Sequence, residues 1–290
     1  MSIIHALILA LVEGLTEFLP VSSTAHLLFT EELLGVQQTE YVKMFTVSIQ
    51  FGAILAVVVA YWKRFFINIK WMFYRVLAIA VIPALVLGKL FDELIESIFE
   101  KPIIIALVLI LGGIVLLFID RLFSNQSNIK DQEVSMRKGL LIGFWQCLAM
   151  MPGVSRSAAS IIGGMQQGLN RKSAAEFSFF LAVPTMAAVT LYSVFLKNWC
   201  VGGCKMKGYS MILSSIENTL VFFIGNLASF IIAFIAIKGF IAFLQKYGFK
   251  VWGFYRIAVG LILLAIFMNQ ELTNKSQNKK PFCELQTAIK

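Results

Sequence analysis

The sequence predicts an all-α integral membrane protein, with six transmembrane helices plus two re-entrant helix–loop–helix regions in an inverted-topology repeat. Three observations predict it. Of 290 residues, 59% are hydrophobic and only 14% charged, against about one quarter charged in soluble domains. The apolar residues fall in long continuous runs, not in the short alternating segments of a membrane β-barrel. Two of the runs are cut in the middle by proline and by ionisable residues.

A helix crosses the hydrocarbon core with about 20 apolar residues. In chain order, the region 3–34 is apolar but interrupted around Pro20, and each half is too short to cross alone. Full-length spans follow at 44–62, 71–90 and 103–119. The region 139–168 is interrupted in turn, around Pro152-Gly153, and spans at 175–196, 219–237 and 251–268 follow it. Lipid tolerates broken backbone only where protein or a water-filled cavity covers it, so each interrupted pair reads as re-entrant. Residues 1–268 form one membrane domain, and 269–290 read as a polar, disordered tail.

The net charge is +9, with Lys and Arg gathered at the ends of apolar runs. Membrane topology explains that placement, and no nucleic-acid module accompanies it. Lys63, Arg64, Lys70 and Arg75 mark one cytoplasmic turn. Arg121, Lys130, Arg137 and Lys138 mark a second, with Arg171 and Lys172 beyond it. Lys238, Lys246, Lys250 and Arg256 mark a third, and Glu31, Glu32, Glu40, Asp92, Glu93, Glu96 and Glu100 fall on the opposite side. The two broken regions then enter from opposite faces, each ahead of three crossings, which is the layout of an inverted repeat. No cleavable signal peptide is expected, because the first apolar run lacks a basic leader. Cys147 reads as a small core residue, whereas Cys200 and Cys204, in a loop placed outside, allow a disulfide in an oxidising compartment.

The interruptions carry the chemistry. The first reads Glu13-Gly-Leu-Thr-Glu17-Phe-Leu-Pro20-Val-Ser22-Ser23-Thr24-Ala25-His26, and the second Pro152-Gly153-Val-Ser155-Arg156-Ser157-Ala-Ala-Ser160. Glu13 and Glu17 share a helix face, as do Ser23 and His26. Pro20 suits the first turn of a new helix. Ser22, Ser23 and Thr24 then fall near a helix N-terminus, where free N–H groups and the dipole favour an anion. Ser155 and Ser157 add hydroxyls, and Arg156 adds a planar fork suited to phosphate. Taken singly, a serine here bonds its own backbone, and Glu13 serves as an ion-pair partner for Arg156. Taken together, the residues indicate a buried site for a phosphate-bearing lipid.

These two segments closely resemble the undecaprenyl-pyrophosphate phosphatase family linked to bacitracin resistance. Ile49-Gln50-Phe51-Gly52, Ala174-Ala175-Glu176-Phe177-Ser178-Phe179 and Tyr255-Arg256 extend the likeness over nearly the whole chain up to about residue 268. Ala25 stands where the family has glycine before the histidine, and Ala158-Ala159-Ser160 stand where it has Gly-Ala-Thr. The resemblance implies a multi-pass enzyme of the bacterial inner membrane. It would remove the terminal phosphate of undecaprenyl pyrophosphate, a phosphoric-anhydride hydrolysis that recycles the carrier lipid of peptidoglycan synthesis. It further implies Ser23, His26, Glu17 and Glu13 as catalytic residues, with Arg156, Ser155 and Ser157 as the phosphate-binding motif. Gly153, Ser22, Thr24 and Ser160 join the substrate site. Glu13 and Glu17 could hold a divalent cation, Mg or Ca, since hard ions take carboxylate oxygens; no organic cofactor is implied. Either Ser23 or His26 is the nucleophile. The expected partners are the polyprenyl pyrophosphate lipid and the bilayer, with a homodimer allowed and no nucleic acid. The rival reading is a polyprenyl-phosphate flippase on the same inverted-repeat fold.

Overall fold

The computed structural model describes residues 1–99, 101–123 and 133–277, apart from the side chains at 92, 93, 96, 99 and 271–277. Most of the described residues are helical. Its elements are α1 (Ile3–Thr16), α2 (Ser23–Leu33), α3 (Glu40–Ala60), α4 (Trp71–Leu90), α5 (Asp92–Phe99), α6 (Pro102–Leu122), α7 (Met136–Cys147), α8 (Arg156–Gln166) and α9 (Arg171–Leu191). A hairpin, β1 (Asn198–Val201) and β2 (Cys204–Lys207), precedes α10 (Gly208–Ile212), α11 (Ile216–Tyr247) and α12 (Lys250–Gln277). Among the described residues six helices are long and apolar enough to cross a membrane: Glu40–Ala60, Trp71–Leu90, Pro102–Leu122, Arg171–Leu196, Ile216–Tyr247 and Lys250–Gln270. The protein is a multi-pass membrane protein.

Several sequence expectations shift. The last helix runs on to Gln277, so 269–277 is helical where a disordered tail is expected. The rest of the tail with Cys283, together with Glu100 and Lys130, lies outside the described residues. Glu31 is not a loop residue but a buried one on α2, and its carboxylate accepts from Gln38. Cys147 is half-buried, its Sγ 3.3 Å from the Gly143 carbonyl. Cys200 and Cys204 are exposed free thiols, since the hairpin register sets Cys200 opposite Lys205 and Val201 opposite Cys204.

Small residues decide which helices meet. A Cβ on Gly14 would lie 2.6 Å from the Ser229 carbonyl, so α1 and α11 cross at backbone contact. A Cβ on Gly143 would lie 2.2 Å from the Ala80 carbonyl, and α7 meets α4 in the same manner. Close backbone approach of this kind is how helices associate where no hydrophobic drive separates them from lipid. The main core packs Phe18, Phe73, Phe179, Phe180, Phe240 and Phe249 together with aliphatic residues of α3, α4, α8 and α9. Phe18 meets Phe179 edge to face at 4.9 Å, which seats the first interruption against α9.

One polar node ties three helix ends together. Asp120, at the end of α6, accepts from Arg171 Nη2 at 2.8 Å, from the Phe249 N–H at 2.8 Å and from the Lys250 N–H at 3.2 Å. It thus caps α12 from another helix and pairs with the first residue of α9. Asp120→Ala removes the cap and one member of a partly exposed ion pair. It is expected to destabilise the fold by about 1–2 kcal/mol, read by graded SDS unfolding, with Asp120→Asn recovering part of the loss.

Candidate active site

Both interruptions are built the same way. α1 ends at Thr16, Glu17 stays helical with its N–H on the Glu13 carbonyl at 2.9 Å, and a tight turn follows through Val21. α7 ends at Cys147 and closes with one 3₁₀ turn, Leu148–Met150, before the Pro152-Gly153 bend. Each new helix starts from a serine in left-handed backbone. Ser22 has φ 69° and ψ 91°, and Ser155 has φ 74° and ψ 116°. Non-glycine residues rarely adopt such values, and where they do the surroundings hold them there. Pro20 lies in the turn ahead of α2, not in its first helical turn as the sequence suggests, because the N-cap falls at Ser22.

The two segments meet at one carboxylate. Glu17, buried, accepts from Ser23 Oγ through Oε2 at 2.7 Å and pairs through Oε1 with Arg156 Nη2 at 3.0 Å. Arg156 Nη1 donates to the Ser178 carbonyl at 2.9 Å, while its Nε is buried with no partner. Ser160 lies 2.7 Å from Ser178 Oγ and donates to the Arg156 carbonyl at 2.8 Å, so it braces the arginine. Ser157 donates to the Leu19 carbonyl at 2.7 Å and lies 3.0 Å from Ser155 Oγ, which joins one interruption to the other. Ser155 also accepts from the Ala158 N–H at 3.3 Å and so caps α8, whereas Ser22 lends α2 no side-chain cap. Thr24 is half-buried on the first turn of α2. Glu13 is fully buried with both carboxylate oxygens unpartnered. The ion pair of Arg156 therefore goes to Glu17, not to Glu13.

His26 does not bond Ser23. Its Nδ1 lies 2.8 Å from the Ser22 carbonyl and its Nε2 lies 2.8 Å from the Tyr255 hydroxyl. Next to that tyrosine stands Arg256, which the charge pattern assigns to a cytoplasmic turn. Instead it is fully buried within α12. Its Nη1 donates to the carbonyls of Pro20 at 3.2 Å and Val154 at 3.0 Å. Its Nη2 donates to Gly153 at 2.7 Å, and its Nε to Leu109 on α6 at 3.3 Å. A single guanidinium thereby satisfies carbonyls that both breaks expose. Gly153 has φ +97°, and a Cβ there would lie 2.7 Å from the Ile105 carbonyl, so only glycine fits beside this clasp. An arginine placed inside an apolar run was the available signal, and a positive charge near a helix end masked it.

The added methyl groups of Ala25 and Ala158 are buried in the core. Arg256→Lys keeps the charge but loses the planar fork, leaving at least one buried carbonyl unpaired. It is expected to cost about 2–4 kcal/mol, measured by graded SDS unfolding. Stability equal to that of the parent would show that the four bonds do not hold the breaks.

Residues 6–262 match the family model described as bacitracin resistance protein BacA. The chain is 49% identical over 266 residues to an undecaprenyl-diphosphatase of Flavobacterium psychrophilum, covering 92% of this chain and 96% of that protein. It is 45% identical over 286 residues to one of Porphyromonas gingivalis, with 93% and 98% covered, and 42% identical over 266 residues to one of Aquifex aeolicus, with 91% and 98% covered. Matched along nearly its full length, the chain belongs to the BacA bacitracin-resistance family.

Proposed function

We propose that the protein hydrolyses undecaprenyl pyrophosphate to undecaprenyl phosphate in the bacterial inner membrane, recycling the lipid carrier of cell-wall synthesis and conferring bacitracin resistance. The observation that carries the reading is the Glu17 carboxylate, bonded at once to the Ser23 hydroxyl and the Arg156 guanidinium. A nucleophile, its proton acceptor and a phosphate-binding cation thus sit within two hydrogen bonds of each other although 133 residues separate Ser23 from Arg156. The names of the relatives, undecaprenyl-diphosphatases, support hydrolysis over the flippase reading.

The mechanism follows from which groups are engaged and which are open. Ser23 Oγ attacks the terminal phosphorus, its proton passes to Glu17, and undecaprenyl phosphate leaves. Ser23 takes the nucleophile's role over His26 because its Oγ is already bonded to a proton acceptor, Glu17 Oε2, at 2.7 Å. Phosphoryl oxygens lie at the uncapped N-terminus of α2 and against Arg156, whose free Nε offers a further donor. Ser155, Ser157 and Ser160 hold this cradle in shape through the bonds described above. Water then cleaves the phosphoserine, with Glu17 returning the proton to Oγ and His26 serving as base. Glu13 fits a divalent cation, since its buried carboxylate oxygens otherwise lack any partner. With Glu17 it would hold Mg or Ca, which when bound supplies positive charge against the phosphates.

We read the architecture as an inverted repeat of two re-entrant pairs, each followed by three spans. Several features support it. Gln146 and Ser155 stand 133 residues after Glu13 and Ser22 in the same local structure. Ser22 and Ser155 share one unusual backbone conformation. The packing is reciprocal too, α1 against α11 and α7 against α4. The first half then supplies the acids and nucleophile, and the second supplies the cation.

Purified protein in detergent is expected to release inorganic phosphate from undecaprenyl pyrophosphate. Ser23→Ala, Glu17→Gln and Arg156→Ala should each lower the rate by about 100-fold or more, with near-parental turnover in any of them rejecting that residue's role. Chelation should suppress the rate and added Mg or Ca restore it. Phosphate release indifferent to chelator would remove the cation from the mechanism.

A further inference from the structure

The bond between His26 and Tyr255 has a direction. A carbonyl oxygen only accepts, so Nδ1, 2.8 Å from the Ser22 carbonyl, carries the proton of the neutral ring. Nε2 then holds the lone pair, and the Tyr255 hydroxyl at 2.8 Å donates to it. The two rings lie within 6° of parallel, with centroids 5.5 Å apart, so ring contact and hydrogen bond together fix the pair. Exposure separates the two partners. His26 is 7% exposed and needs its polar atoms satisfied, whereas Tyr255 is 42% exposed and reaches the ring from the flank of α12. Nor is the phenol free to wander, because its neighbour Arg256 is fixed by four main-chain carbonyls.

We infer that Tyr255 is a positioning residue for His26, locking the imidazole as the Nδ1–H tautomer and leaving Nε2 as the one ring atom that takes up a proton during turnover. The inference rests on the phosphatase reading above. In the second step water adds to phosphorus, the P–Oγ bond breaks and Glu17 gives its proton back to Ser23 Oγ, while the Tyr255 hydroxyl passes its own proton to Nε2 and takes up the one lost by the water. The phenol then turns from donor to acceptor, so the ring keeps its place in both charge states. A hydroxyl can do this and no other change in the pocket is needed.

The chain has two histidines, so a His5→Gln background leaves one ring to observe by nitrogen NMR after labelling with ¹⁵N-histidine. The parent should show His26 as a single Nδ1–H tautomer with hydrogen-bonded Nε2. Tyr255→Phe, which keeps the ring and should keep the unfolding midpoint, should lose the Nε2 hydrogen-bond shift. It should also lower kcat by about tenfold at unchanged KM. An unchanged Nε2 signal, or an unchanged kcat in Tyr255→Phe, overturns the inference. A parent that binds the lipid but releases no phosphate defeats the phosphatase reading instead, and the NMR result stands apart from it.

Discussion

A helix broken inside a protein exposes carbonyls that water would otherwise satisfy, and the rest of this structure depends on how those carbonyls are met. Each unpaired buried acceptor costs about 1–3 kcal/mol, and this chain breaks two helices side by side. Arg256 answers from α12 with donors to Pro20, Gly153 and Val154, and Ser157 answers from α8 with a donor to Leu19. Neither residue belongs to the break it serves most: Arg256 lies far along the chain, and Ser157 reaches from the second interruption to the first. The breaks are therefore stable only when the two halves of the molecule are assembled. The polar cluster drawn from both breaks is then a consequence of what keeps them folded.

The same constraint sets the electrostatics. Arg256 spends its donors on backbone dipoles, so it acts as a pin. Arg156 binds one carboxylate and one carbonyl and keeps Nε open. The two arginines are chemically alike, yet one is saturated and the other is not. That difference separates an arginine spent on holding the breaks from one with a donor still open. Among the acids the asymmetry recurs. Glu17 is bonded on both oxygens, whereas Glu13, one turn earlier, has neither oxygen satisfied. A buried carboxylate left in that condition is costly, and the cation proposed above would offset that cost.

How much of this was legible depended on whether the signal was local. The span at 71–90 is read to the residue as Trp71–Leu90, because apolar length is a property of one segment. The interruptions were legible for the same reason, since proline and ionisable residues inside apolar runs have few other meanings. Pro20 was misplaced by a few residues, because helix-start rules favour proline in the first turn while the serine N-cap decided the boundary. The bridge through Glu17 was not legible, since helix spacing puts Glu13 and Glu17 on one face and cannot say which of them meets an arginine 139 residues beyond Glu17. Arg256 was misread outright. A cation within two turns of a helix start looks like a topology marker, and only packing against Leu109 and the two breaks reveals it as interior.

The placement of Tyr255 and Arg256 next to each other in α12 then has a physical logic. Successive helix residues point about 100° apart, so one helix can send one side chain into the core and the next along its flank. Arg256 goes inward to the breaks, and Tyr255 goes sideways to His26 on α2. The position of α12 fixes both at once, and α12 in turn is held by Asp120 at its start and by backbone contact with α6 at Gly113 and Gly253. A shift of α12 along α6 would loosen the clasp and move the phenol away from Nε2 together. The precision of the histidine is thus coupled to the integrity of the breaks, and α12, which belongs to neither interruption, governs the geometry around both.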